Sequence, residues 1–214
     1  MIITVQKPLS EITESLKNFK KIFIVGCAAC ATKCQTGGEE AVKKIAEELK
    51  SMGKEVTGYA VLDTPCDTRI VRKDLLKSDK AKESDAVLVL ACGGGVQAIA
   101  GLTDFKAVPA LNPQFLGTIE RIGIYNEFCS MCGDCMLALT GGICPVTRCA
   151  KSLVNGPCGG AVDGKCEVDP QRDCAWALIY EKLKKQGRAE DILKIDRGPK
   201  KFSKPKKIDN TRKI

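Results

Sequence analysis

Thirteen cysteines and no histidine constrain this 214-residue chain more than any other feature. Thirteen is odd, so disulfides alone cannot use them all. The first residues, MIITVQKPLSEITESL, carry acids and no apolar leader segment, which reads as a cytoplasmic protein. In that compartment thiols stay reduced, and metal binding becomes the leading explanation. The missing histidine excludes mixed Cys/His zinc fingers, Rieske centres, His-ligated haem and every Ser-His or Cys-His catalytic pair. Soft thiolate ligands select iron–sulfur clusters, zinc or cuprous copper. No apolar run approaches the roughly 20 residues a membrane span needs.

The cysteines fall into two groups. Five precede residue 128: Cys27, Cys30, Cys34, Cys66 and Cys92. Their setting follows from the periodicity around them. A short helix is expected over 10–19, capped by Ser10. KIFIV (21–25), EVTGYAVL (55–62), AVLVLA (86–91) and AVPAL (107–111) read as strands. Between them, GEEAVKKIAEELKSM (38–52) places Ala41, Val42, Ile45, Ala46, Leu49 and Met52 on one helical face. DTRIVRKDLLKS (67–78) reads as a helix with Asp67 as N-cap, and GGGVQAIAGL opens a further helix. Strands alternating with helices predict an α/β fold, an N-terminal Rossmann-like parallel sheet with helices. Right-handed crossovers put the strand C-terminal ends on one edge, where open α/β sheets bind ligands. Cys27, Cys66 and Cys92 follow the first three strands, and Cys30 and Cys34 belong to the first loop. Five thiols therefore compete for the four places around a [4Fe–4S] cluster. Gly93, Gly94 and Gly95 fit neither nucleotide-binding glycine motif. Beside Cys92 they let backbone N–H groups approach cluster sulfurs.

The second group is denser. Residues 129–174 hold eight cysteines and seven glycines: Cys129, Cys132, Cys135, Cys144, Cys149, Cys158, Cys166 and Cys174. So little apolar material cannot build a core of its own, and metal must organise the segment. CSMCGDC has the C-x2-C-x2-C spacing with which bacterial ferredoxins bind one cluster. Cys144 precedes a proline, as the next ferredoxin cysteine does, but eight residues on instead of three. The wider-spaced Cys149, Cys158, Cys166 and Cys174 suit a second site, either a further cluster or zinc with four cysteine ligands. The expected domains are 1–122 (α/β, cluster-binding), 123–198 (small, Cys-rich, metal-organised, ending in a helix) and 199–214 (basic C-terminal tail).

VGCAACATKC with LACGGGVQ, then CSMCGDC with NGPCGGAVDGKCEVD and DCAWALIYEKL, resembles the small iron–sulfur subunit of the acetogen-type methylenetetrahydrofolate reductase. The same C-terminal signature looks like the methylenetetrahydrofolate reductase C-terminal domain. The resemblance covers roughly residues 20–198. The cysteine groups themselves offer material for two or three [4Fe–4S] clusters, with zinc an option at one C-terminal site. The resemblance implies a non-catalytic electron-transfer subunit that feeds a separate flavin-bearing barrel subunit, which binds the folate and carries out the hydride chemistry. The upstream donor is not implied. All thirteen cysteines carry over as candidate ligands. Two other classes remain: a zinc-organised scaffold without a redox role, and a self-contained ferredoxin-like carrier.

The net charge of +8 is uneven. Residues 180–214 hold 13 Lys+Arg against 5 Asp+Glu, while residues 1–179 hold 21 of each. The segment starts as an amphipathic helix, with Ala177, Leu178, Tyr180 and Leu183 apolar, and breaks at Gly198-Pro199 into a lysine-rich extension. Tyr180 and Phe202 are its only aromatics, so docking to a protein partner is favoured over nucleic acid.

Overall fold

The computed structural model describes residues 1–198 and divides them at Glu127/Phe128 into two units. The first is a mixed α/β unit. Its elements are β1 (Ile2–Gln6), α1 (Leu9–Ser15), β2 (Lys21–Cys27), α2 (Cys30–Lys33), α3 (Glu39–Ser51), β3 (Glu55–Leu62), α4 (Thr68–Ile70), α5 (Asp79–Lys82), β4 (Ala86–Leu90), α6 (Gly93–Leu102) and strands β5 (Ala107–Pro109), β6 (Leu111–Leu116), β7 (Thr118–Arg121) and β8 (Ile124–Asn126).

Four strands form a parallel sheet in the order β3-β2-β4-β5. The apolar runs explain the order. Ile22–Val25 of β2 and all of Ala86–Leu90 in β4 are buried, as expected of strands covered on both faces at a sheet centre. β3 is only partly buried and sits at the edge. From β2 the chain first crosses to β3 on one side and then returns to β4 on the other. The direction of winding therefore reverses between β2 and β4, where open α/β sheets form a crevice beyond their strand ends.

Helix α3 covers the sheet with Val42, Ile45, Ala46 and Leu49, as its 3.6-residue period requires. Met52, expected on the same face, is 47% exposed because the helix has ended at Ser51. The helix expected over 10–19 is shorter and starts at Leu9. Pro8 rather than Ser10 is its N-cap, with no side-chain cap. Asp67 caps α4 as expected, accepting from Arg69 N. The helix there passes at Val71 into a five-residue π-helical turn ending at Leu75, short of the expected residue 78.

Three features depart further from the periodic reading. β1 and β6 pair antiparallel as a separate ribbon, Ile2 opposite Leu116 and Gln6 opposite Leu111. The strand expected over 107–111 ends at Pro109, and the chain leaves the parallel sheet through Ala110 to join β1. β7 and β8 form a hairpin that turns at Gly123, φ +85°.

The carboxylate of Asp85, just before β4, accepts hydrogen bonds from Lys20 N (2.9 Å) and Lys21 N (2.7 Å) at the start of β2. These two donors hold its carboxyl below the ordinary Asp range.

The second unit starts at Phe128. It contains α7 (Pro145–Arg148), α8 (Ala175–Lys185) and a 3-10 turn at Ala189–Lys194. Its apolar cluster is small: Met136, Cys174, Trp176, Ile179, Leu183 and Ile195. The rest is loop, with Gly133, Gly141, Gly142, Gly156, Gly159 and Gly164 at positive φ. The basic extension 199–214 lies outside the described residues. Among the described residues no helix is long and apolar enough to cross a membrane.

Candidate metal centres

In the first unit four thiols share one neighbourhood. Cys27 ends β2, Cys30 opens α2, Cys66 follows β3 and Cys92 is the N-cap of α6 after β4. Burial raises the Cys27 thiol first of all. The backbone N–H groups of Ala31 and Ala29 oppose this, and the negative charge that Cys30 and Cys66 would carry raises it further. Burial likewise raises Cys66, followed by the charges of Cys92 and, more weakly, Cys30. Cys66 is thus the thiol that links the others, within electrostatic reach of Cys27, Cys30 and Cys92 beyond the strand ends where the winding reverses.

Cys34 has a different neighbour. It lies past the end of α2, is 8% exposed, and its Sγ is directed at the carbonyl oxygen of Ile2 in β1, 3.9 Å away. Five candidates for four places become a group of four and one buried cysteine packed against a strand.

Glycines make this arrangement possible: Gly26 and Gly37, which the periodicity does not single out, and Gly94 and Gly95 beside Cys92. A Cβ on Gly26 would lie 2.4 Å from Gly37 O and 2.7 Å from Val42 Cγ2. A Cβ on Gly37 would lie 2.4 Å from Ala31 Cβ and 2.5 Å from Leu90 O. With both glycines bare, the loop after α2 folds back onto β2, and Gly37 O accepts from Cys27 N at 2.8 Å. Gly95 does the same for the Cys66 loop, since a Cβ there would meet Ala91 Cβ at 2.8 Å and Pro65 Cγ at 3.3 Å. Gly94 leaves an open cradle, with Cys66 Cβ and Cys92 Sγ 3.6 and 3.7 Å from where its Cβ would be. The GG doublet after the first cysteine cluster was the available signal.

In the second unit the eight cysteines separate into two sets. Cys129, Cys132, Cys135 and Cys144 line one cavity of 320 Å³, together with Met131, Asp134 and Met136. The loop coils through Met131 (φ 53°) and Gly133 (φ 81°), and Met131 N lies 3.4 Å from Cys129 Sγ as a donor. Cys144 enters from α7, where Pro145 occupies the first turn and needs no N–H partner.

Cys149, Cys158, Cys166 and Cys174 line a second, narrower pocket of 20 Å³, walled by Ala161, Ala175 and Trp176. Trp176 is fixed by its indole N–H donating to Leu153 O at 3.1 Å. Backbone N–H groups of Val168 and Asp169 directed at the sulfur lower the Cys166 thiol below its ordinary value. Cys158 Sγ lies 3.5 Å from Glu167 Oε1, and Glu167 also pairs with Lys151. Cys174 N donates to Gly164 O at 2.7 Å, which closes the loop from 164 to 174.

Among the described residues no three Cys, Asp or Glu side chains stand close enough to hold a single metal ion. The donor sets nevertheless suit a body larger than an ion. Each is dominated by four thiols, with Asp134 beside the second set and Glu167 beside the third, and the second set has room beside it in the 320 Å³ cavity.

A search of curated proteins and a search of solved structures each returned no match. The family comparison did return one. Residues 108–203 match the family model described as Methylene-tetrahydrofolate reductase C terminal, so the kinship read from CSMCGDC and NGPCGGAVDGKCEVD holds over that stretch of the chain.

Proposed function

We propose that the chain is an iron–sulfur electron-transfer subunit of a methylenetetrahydrofolate reductase complex. In this reading it passes electrons to a flavin-bearing subunit that reduces methylenetetrahydrofolate to methyltetrahydrofolate. One observation carries the reading. The thirteen cysteines divide into three sets of four, Cys27/30/66/92, Cys129/132/135/144 and Cys149/158/166/174, with only Cys34 left over. The family match over 108–203 supplies the reaction context.

Bound by such a set, a four-iron cluster supplies a one-electron couple. The chain's own residues do the rest. In the first unit the buried strand ends hold Cys27 in a dry setting, and Cys66 stands exposed. The N-terminus of α6 places the positive end of a ten-residue helix at Cys92, where it faces whatever anionic group those thiols hold. Gly93 and Gly94 keep side chains away from that end. In the second unit the Val168 and Asp169 N–H groups direct hydrogen-bond donors at the Cys166 sulfur. Such donors favour the anionic form that binds metal.

A second reading applies to the Cys149/158/166/174 set alone, a single zinc ion held by four thiolates, for which the four side chains would have to draw closer than they stand here. Iron, sulfide and zinc analysis of anaerobically reconstituted chain decides between them. About 12 Fe per chain fits three clusters, and about 8 Fe with one zinc fits the second reading. Fewer than about 4 Fe per chain overturns the electron-transfer function.

A further inference from the structure

The segment after α8 returns across the second unit as a strap. Ile195 is 7% exposed and belongs to the apolar cluster with Trp176 and Ile179. Two residues on, the backbone of Arg197 is clasped by one side chain. Arg197 N donates to Asn155 Oδ1 at 2.9 Å, and Asn155 Nδ2 donates to Arg197 O at 2.6 Å. Asn155 thus pairs with the strap as a neighbouring strand would. Its position is the loop between Cys149 and Cys158. From the clasp the Arg197 guanidinium reaches Asp134, the residue between Cys132 and Cys135, and forms an ion pair with it. The Arg197 side chain is only 23% exposed. A half-buried Arg fixed at its backbone loses little further freedom in pairing, unlike most surface ion pairs.

Asp134 stands in the loop that carries three of the four thiols lining the 320 Å³ cavity. Reduction of a centre there adds one negative charge beside a carboxylate. Net charge and nearby dipoles are among the main determinants of cluster potential. We propose that Arg197 is a positioning residue that tunes the Cys129/132/135/144 centre, holding Asp134 in place and offsetting its charge so that reduction is easier. The inference rests on the iron–sulfur reading of that cavity, and it assigns redox tuning to a residue 53 positions beyond the last ligand of the set.

The test is potentiometric EPR on the full, anaerobically reconstituted chain. Arg197→Gln is expected to lower the midpoint of one C-terminal signal by a shift of about tenfold in the oxidised-to-reduced ratio, 59 mV for a one-electron couple. Asp134→Asn removes the anion, leaves the cation, and moves the same signal up. Arg197→Lys keeps the charge and stays closer to wild type than Arg197→Gln. Asn155→Ala loosens the clasp without changing any charge and leaves the midpoint within half of the Arg197→Gln shift. Opposite shifts from the two charge variants are a signature that loosened packing does not produce. Should Arg197→Gln fail to retain iron, Asp134→Asn decides, and an unmoved or lowered midpoint overturns the inference. So does an unmoved midpoint in iron-loaded Arg197→Gln, or an equal shift from Asn155→Ala. A wild-type chain with no four-iron signal at all overturns the underlying reading as well, which separates the two failures.

Discussion

Cys34 and Cys92 look alike in the sequence, since both follow an apolar strand within a few residues. The difference between them is a matter of surroundings. Cys92 caps α6 within reach of Cys66. Cys34 is turned to β1, a strand too short and too distant in sequence for local periodicity to connect with it. Spacing alone therefore leaves five candidates for four places, and the contact of Cys34 with Ile2 O in β1 is what sets it apart from the rest. Cys34→Ser is expected to keep full iron content, with at most a modest loss of stability from a hydroxyl placed in a buried site. Cys92→Ser is expected to lose about 4 Fe per chain and to leave the C-terminal EPR signals in place. Equal iron loss in both variants would return Cys34 to the ligand set.

Secondary-structure elements were legible in proportion to how local their causes are. β2 and β4 are continuous apolar runs, and α3 has an apolar face at helical spacing, so each is visible within its own residues. β1, β6 and the β7–β8 ribbon are not, because their partners lie elsewhere and β6 contains Pro113. The close fit of β2 to the loop after α2 was equally hidden, since it depends on Gly26 meeting Gly37. Gly26→Val is expected to destabilise the first unit by about 1–3 kcal/mol or more, as overpacking against a backbone carbonyl leaves no side chain to yield. Urea denaturation with a sheet-dependent signal measures it. Asp85 offers a pH test at the same scale. Its folded pKa is lowered, so its contribution is present above the unfolded carboxylate pKa and is lost as pH falls through the folded value. The melting temperature of Asp85→Asn is expected to lie below wild type at neutral pH. The gap should close on acidification below about pH 4, and a gap independent of pH would show that the carboxylate is not what ties β4 to β2.

For the molecule as a whole, the charge distribution matters more than its sum. The entire +8 lies in residues 180–214, beyond the last cysteine. Deleting residues 199–214 is expected to leave iron content unchanged and to weaken co-purification with the flavin-bearing subunit proposed above as partner. Moderate salt should mimic the deletion in the intact chain, because such charges mainly speed encounter and fix orientation. Equal, salt-insensitive recovery of both chains would remove the tail from partner docking. The strap adds an asymmetry in time. All four thiols of the first centre have been synthesised by residue 92, and a protein chain folds from its N-terminal unit onward as it emerges. The loops of the second unit wait for Ile195 and Arg197 before the apolar cluster and the Asn155 clasp are complete. On the proposed reading, the first set of thiols is complete before the second unit is made, whereas the loops of the second unit depend on residues that follow their last cysteine, Cys174.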